Sequence, residues 1–376
     1  MNTSATLNNE DDDRLDISKQ EKIVSTFIEN SDSDSDEGQD TSKQQHDIAK
    51  EPVDEPKKYW LSKVHPELNT DKCIDMNFDS RLKTTIFSGL MYVVRAPISE
   101  GVSVKKVKCG YYYYPKNGDD KSKSISTSAI LWIHGGGRVM GSAGGMLDEV
   151  CSKIVLQFNL PVLSVHYRLA PRHPFPAGLN DIHSGYHWLV EHIAKESGSS
   201  SARIAIAGDS AGGGLAAEIC QRLYDEHKTS TTQTIPLPAC QLLINPMLDD
   251  RTCCSEQLSS MPPHLVWNHK SNSYAWKSYL GRKYKPGDEM IPKYAAASRR
   301  TDLSGLPPCY ILIGDLDIFH EESKDYATRL EEHGVEIELD EILGGFHGIM
   351  SNNLKDQPIV DAWERCHAFS KKYMFD

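Results

Sequence analysis

No stretch of this 376-residue chain approaches the ~20 consecutive apolar residues that a membrane-spanning helix needs. Its first residues, MNTSATLNNEDDDRLD, also lack the apolar core of a secretory leader. Cysteine offers no framework: there are nine, an odd number, with no CxxC pair, and the adjacent Cys253 and Cys254 could not bridge without strain. No grouping of His, Cys and Asp shows ligand spacing, so neither a metal nor an organic cofactor is expected. A basic excess is missing too. Residues 1–56 hold sixteen Asp and Glu against five Lys and Arg, which accounts for −11 of the net charge of −12. The nearly neutral remainder offers no basic face to a nucleic acid. These absences leave a reduced, soluble protein of the cytoplasm as the expectation.

What is present falls into two parts. Residues 1–56 are rich in Asp, Glu, Ser, Gln and Lys, the composition of a disordered acidic tail. Within it, NSDSDSDEGQD at 30–40 sets serines among carboxylates, a context that suits an acidophilic kinase, though a purely solvating tail is the simpler expectation. A short apolar patch from Ile17 to Ile28 has the spacing of one helix. Residues 57–376 read as a single domain. VSVKKVKCGYYYYP (102–115) has the β-branched and aromatic content of edge strands. Short apolar runs then alternate with amphipathic helices: AILWIH (129–134), PVLSVHY (161–167), RIAIAG (203–208), CQLLIN (240–245), CYILIG (309–314) and EIELDEIL (336–343). Continuous apolar strands alternating with helices predict an α/β fold, a mostly parallel sheet covered on both faces. Residues 249–307 break the rhythm without a clean strand, and about sixty residues is too long for a plain loop. An inserted helical element over the strand ends is expected there.

GDSAG at 208–212 fits GxSxG, and it lies where an apolar strand runs into a helix. A nucleophile elbow requires that context: flanking glycines let the chain turn sharply, exposing Ser210 at a helix N-terminus. HGGG at 134–137 follows another strand. Acyl transfer creates an oxyanion that needs pre-aimed N–H donors; the amides of Gly136, Gly137 and Ala211 are the candidates. His134 itself is expected to brace the loop. A base must take the serine proton, and His347 is the candidate because GGFHGI follows the strand 336–343. His166, His173 and His183 lie before the serine and are expected to pack or sit at the surface. An orienting acid should fall between serine and histidine, where Asp315 and Asp317 both end the strand CYILIG.

Together these residues resemble the hormone-sensitive-lipase family of α/β hydrolases. HGGG (134–137), YRLAPRHPFPA (167–177), GDSAGG (208–213), NPMLDD (245–250), LSGLPP (303–308) and FHG (346–348) carry the resemblance in the family's order. It implies an α/β-hydrolase fold with a helical cap, here residues 59–100 and 249–307, and a triad of Ser210, Asp317 and His347. Asp317 is favoured over Asp315 because the family's acid opens a motif that D-I-F-H-E matches in part. The YRLAP segment is implied to be a structural turn near the site. Where the family often has an aromatic after HGGG, Arg138 stands here; pairing with a nearby acid is its simplest role. The resemblance implies hydrolysis of short- to medium-chain or acetyl esters through an acyl-enzyme. Amide or formamide hydrolysis by the same triad is the alternative. A non-catalytic receptor is a weaker one, since such receptors replace the histidine and His347 is present.

Overall fold

Eight strands form one sheet in the order β1-β2-β4-β3-β5-β6-β7-β8 in the computed structural model. The structure describes residues 62–68, 78–116, 126–199, 201–231, 235–254, 266–349 and 354–375. The acidic run at 30–40 and the apolar patch at 17–28 lie outside them. The described elements all belong to the unit Lys50–Asp376.

The strands β1 (Val102–Val107) and β2 (Gly110–Pro115) make an antiparallel hairpin, and β2 runs antiparallel to β4 (Val162–Val165). From β4 through β3 (Ser128–Ile133), β5 (Arg203–Asp209), β6 (Cys240–Ile244), β7 (Cys309–Gly314) and β8 (Ile337–Ile342), every pairing is parallel. Strand β4 is shorter than its apolar run suggests. His166 and Tyr167 leave the ladder, and Tyr167 instead donates to His134 O at 2.8 Å.

Alternate residues along the central strands feed two cores. Leu131, Ile133, Ile206, Leu243 and Ile311 pack with α3 (Ala177–Ser197), α4 (Ala211–Thr229) and α6 (His320–Glu332). Ile130, Trp132, Ala207, Leu242 and Leu312 pack with α2 (Asp148–Phe158) and α7 (Gln357–Met374). This two-sided cover is why the strands read as unbroken apolar runs rather than alternating ones. Helix α3 shows its 3.6-residue period in the buried set Leu179, Ile182, Tyr186, Leu189, Val190 and Ile193. It stops at Gly198, whose φ of 67° is the left-handed cap that glycine accepts without strain.

Two further helices come from the segments expected to cap the sheet. Helix α1 (Arg81–Val93) begins at Ser80, whose Oγ accepts from Lys83 N, and α5 (His269–Leu280) begins at Asn268, whose side chain accepts from Ser271 N. The two segments are tied together by Phe78 N donating to Ser271 Oγ at 2.8 Å. Among the described residues, no helix is long and apolar enough to cross a membrane.

Candidate active site

Five neighbouring parallel strands each deliver one component at their C-terminal ends. The 134–137 loop follows β3, Ser210 follows β5, Asn245 follows β6, Asp317 lies just beyond β7, and His347 lies just beyond β8. In an open parallel sheet this edge is where loops from several strands can converge.

Ser210 is the sharpest feature. It sits between β5 and α4 with φ 57° and ψ −121°, a conformation that non-glycine residues rarely adopt and that surrounding structure must enforce. Three backbone bonds hold it: Ser210 N donates to Ile244 O at 2.8 Å, while its carbonyl accepts from Gly214 N at 3.1 Å and Met247 N at 3.0 Å. The turn also presses α4 onto β3. A Cβ on Gly212 would stand 2.0 Å from Ile133 O, so only glycine lets the strand and helix pass this closely.

Ser210 Oγ lies 2.8 Å from His347 Nε2, and His347 Nδ1 lies 2.7 Å from Asp317 Oδ2. The Asp317 carboxylate also accepts from Asn245 Nδ2 at 2.7 Å and from Phe319 N at 2.9 Å. Asp315 faces elsewhere: its Oδ1 accepts from Gly344 N at 2.6 Å. Burial alone would raise the Asp317 pKa, but the His347 ring and the donors from Asn245 and Phe319 outweigh it and hold the carboxyl below its ordinary value. For His347 the balance runs the other way. Burial presses the imidazole down, and the Asp317 carboxylate overcomes it, leaving the pKa raised above 6.5.

Across from Ser210, Gly136 and Gly137 both take positive φ, 103° and 59°. None of the described hydrogen bonds is donated by either amide, and Ala211, the first residue of α4, has no intrahelical acceptor for its own. His134 braces this loop. It stacks on Tyr167 at 4.2 Å between ring centroids, and burial lowers its pKa to about 4, keeping the ring neutral.

The structure brings together Ser210, His347 and Asp317, and it sets the 134–137 loop against the serine, where a Cβ on Gly135 would stand 3.2 Å from Ser210 Cβ. Three neighbours were not anticipated. Asn245 anchors the acid, and its place as the polar end of the apolar run CQLLIN was the available signal. Trp267 covers the loop, so that a Cβ on Gly137 would meet its ring at 2.5 Å; its ring also lies 6.2 Å from that of His347. Glu218 is the partner of Arg138, with Oε1 2.8 Å from Nη2. Arg138 is fully buried between the rings of Trp276 and Tyr279, at 4.3 and 4.2 Å from their centroids, and it donates to Ala295 O and Met247 O. It therefore turns away from solvent and joins the loop after β3 to α4 and α5. A cavity of about 780 Å³ between Asp225, Arg251, Lys293 and Arg329 touches none of the residues around Ser210.

The sheet order, the sharp turn at Ser210 and the strand-end loops define the class of α/β hydrolases. A family profile described as the alpha/beta hydrolase fold matches residues 130–351. The chain belongs to this family, in its hormone-sensitive-lipase branch. It is 29% identical over 267 residues to Lipase 2 of Moraxella sp. (strain TA144), covering 65% of this chain and 59% of the lipase. It is also 29% identical over 241 residues to the carboxylic ester hydrolase LipN of Mycobacterium tuberculosis (strain ATCC 25618 / H37Rv), covering 64% and 60%. The chain thus spans about three fifths of the length of these two curated relatives. Among solved structures, a bacterial heroin esterase superposes with a TM-score of 0.72 at 30% identity, over 84% of this chain and 99% of that one.

Proposed function

We propose that this protein hydrolyses carboxylic esters through an acyl-enzyme on Ser210. The unbroken chain from Ser210 Oγ through the His347 ring to Asp317, at 2.8 and 2.7 Å, carries the reading. Oγ attacks the ester carbonyl carbon as its proton passes to His347 Nε2, and the carbonyl electron pair moves onto oxygen. The amides of Gly136, Gly137 and Ala211 receive that oxyanion. Its collapse breaks the carbon–oxygen bond, and the departing alcohol takes the proton from His347. Water then repeats the attack on the acyl-enzyme, releasing the acid and restoring Ser210. Asp317 stays ionised throughout, fixing the tautomer of His347 and stabilising the imidazolium.

We assign the capping role to α1 and α5 with their flanking segments. Ser210 and His347 are only 6% and 5% exposed, and Trp267 covers the neighbouring loop, which favours acetyl and other short acyl groups. The names of the relatives, a lipase, a carboxylic ester hydrolase and a heroin esterase, agree with an ester substrate. The described free cysteines, Cys109, Cys151, Cys220, Cys240, Cys309 and Cys366, fit the reducing cytoplasm, the setting we propose.

Ser210→Ala is expected to lower turnover of p-nitrophenyl acetate by roughly 10⁴-fold or more without unfolding the protein. It should also abolish labelling by a fluorophosphonate probe. A folded variant with near-native turnover would refute the assignment.

A further inference from the structure

Helix α3 carries two imidazoles one turn apart, His183 and His187, and α4 brings Glu226 against them. One ligand atom from each of the three lies within 4.8 Å of the others. His183 Nε2 is 2.7 Å from Glu226 Oε2 and 3.2 Å from His187 Nε2. A tetrahedral zinc ion with bonds of about 2.0–2.1 Å separates its ligand atoms by about 3.3 Å. The imidazole pair already has that spacing, and the carboxylate would back away from His183 by about half an ångström while staying within reach of His187. We propose that His183 Nε2, His187 Nε2 and Glu226 Oε2 form a site for a divalent cation of the zinc class, clipping α3 to α4.

The surroundings suit this use. Arg222 Nε donates to Glu226 Oε1 at 2.8 Å, and its Nη1 donates to Asn180 Oδ1 at 2.7 Å. That fork fixes one carboxylate oxygen and turns the other toward the imidazoles, as outer partners do around bound metals. A cavity of about 180 Å³ bordered by His187, Glu226, His227 and Pro236 leaves room for the waters that complete the coordination shell. Two nitrogens and one carboxylate oxygen are a borderline donor set, suited to zinc rather than to calcium or magnesium. Glu226 stands fifteen residues beyond Ala211, about 22 Å along α4, so the ion is a structural clip and takes no part in ester chemistry. His183 and His187 stand one helical turn apart in the sequence, and the third ligand comes from another helix.

Zinc chloride titrated into the chelator-stripped full chain, in competition with a chromogenic chelator, tests the proposal. One equivalent should bind saturably and raise Tm by several degrees. His187→Gln and Glu226→Gln should each weaken that binding at least tenfold and remove the Tm rise. Circular dichroism and fluorophosphonate labelling of Ser210 report whether each variant has folded. X-ray absorption should show imidazole and oxygen neighbours without sulfur. Equal zinc affinity in the native chain and both folded variants, a sulfur-containing shell, or no saturable binding would each overturn it.

Discussion

Arg138→Met tests whether the loop after β3 is anchored through a buried charge. The side chain it removes fills three roles at once. It lies 2.8 Å from the Glu218 carboxylate, donates to the carbonyls of Ala295 and Met247 at 3.1 and 3.0 Å, and is clasped by Trp276 and Tyr279. Methionine can refill the slot between the rings but strips two carbonyls of this donor and leaves the Glu218 carboxyl with only the Tyr279 hydroxyl, at 3.1 Å. Removing one partner of a buried pair costs about 3–5 kcal/mol. Burial already pushes the Glu218 carboxyl well above its ordinary range while the guanidinium pulls it back. Without that pull the Glu218 carboxyl is driven further up and held neutral, which keeps the cost within this range rather than above it. At about 2 °C per kcal/mol for a domain this large, Tm should fall by roughly 6–10 °C. The double variant Arg138→Met/Glu218→Leu should recover at least half of that loss, because neither polar group remains buried. Thermal and urea melts followed by circular dichroism, read as a double-mutant cycle, decide the matter. A single-variant loss below about 1 kcal/mol, or a double variant no better than the sum of the singles, refutes the anchor.

Three further outcomes are expected. Because its folded pKa is raised, His347 stays protonated beyond pH 6.5, so kcat/KM should climb with pH through a midpoint above 6.5. Asp317→Asn removes the main group that raises it and leaves burial opposed only by the weaker pull of Asp209, so the midpoint should move to lower pH as kcat drops about 10³–10⁴-fold; an unmoved midpoint sinks the assignment. The same pair predicts the stability profile. The Asp317 contribution is present above its ordinary value near 3.8 and fades as pH falls through its lower folded value. The His347 contribution is full below 6.5 and fades as pH rises through its raised one. Trp267→Ala should raise the ratio of p-nitrophenyl octanoate to acetate turnover severalfold by uncovering Gly137. An unchanged ratio across a C2–C16 ester series would show that Trp267 does not limit acyl length.

How much of this was legible depended on whether a feature is written locally. The elbow at Ser210 and the 134–137 loop were readable because a positive-φ turn and close strand–helix passage leave glycines at fixed offsets. The sheet was readable because two-sided burial removes alternation from its strands. Between Asp315 and Asp317 the strand end left both open on the residues alone. Their difference lies in what each touches, Gly344 N for one and the His347 ring for the other. Pairing with a nearby acid was the simplest expectation for Arg138, but Glu218 lies eighty residues on and no spacing rule joins them. Trp267 sits in an aromatic stretch without period, and Asn245 opens NPMLDD, a motif that gives it no role. Glu226 meets His183 and His187 only because α3 and α4 lie side by side. Packing between distant elements decides such contacts, and a single sequence carries no record of it.

The brace between His134 and Tyr167 bears on redesign. The two stretches that flank it, 134–140 and 167–177, cannot be exchanged as separate cassettes. Tyr167 donates to His134 O and stacks on its ring, and Ala170 N donates to Arg138 O at 2.9 Å. A loop transplanted from a related hydrolase would arrive without its matching splint, losing the ring stacked on Tyr167 and the backbone path that presents the His134 and Arg138 carbonyls to Tyr167 and Ala170. Grafts that carry both stretches from one donor should keep their fold where single-loop chimaeras lose it. The practical unit of exchange in this protein is the pair.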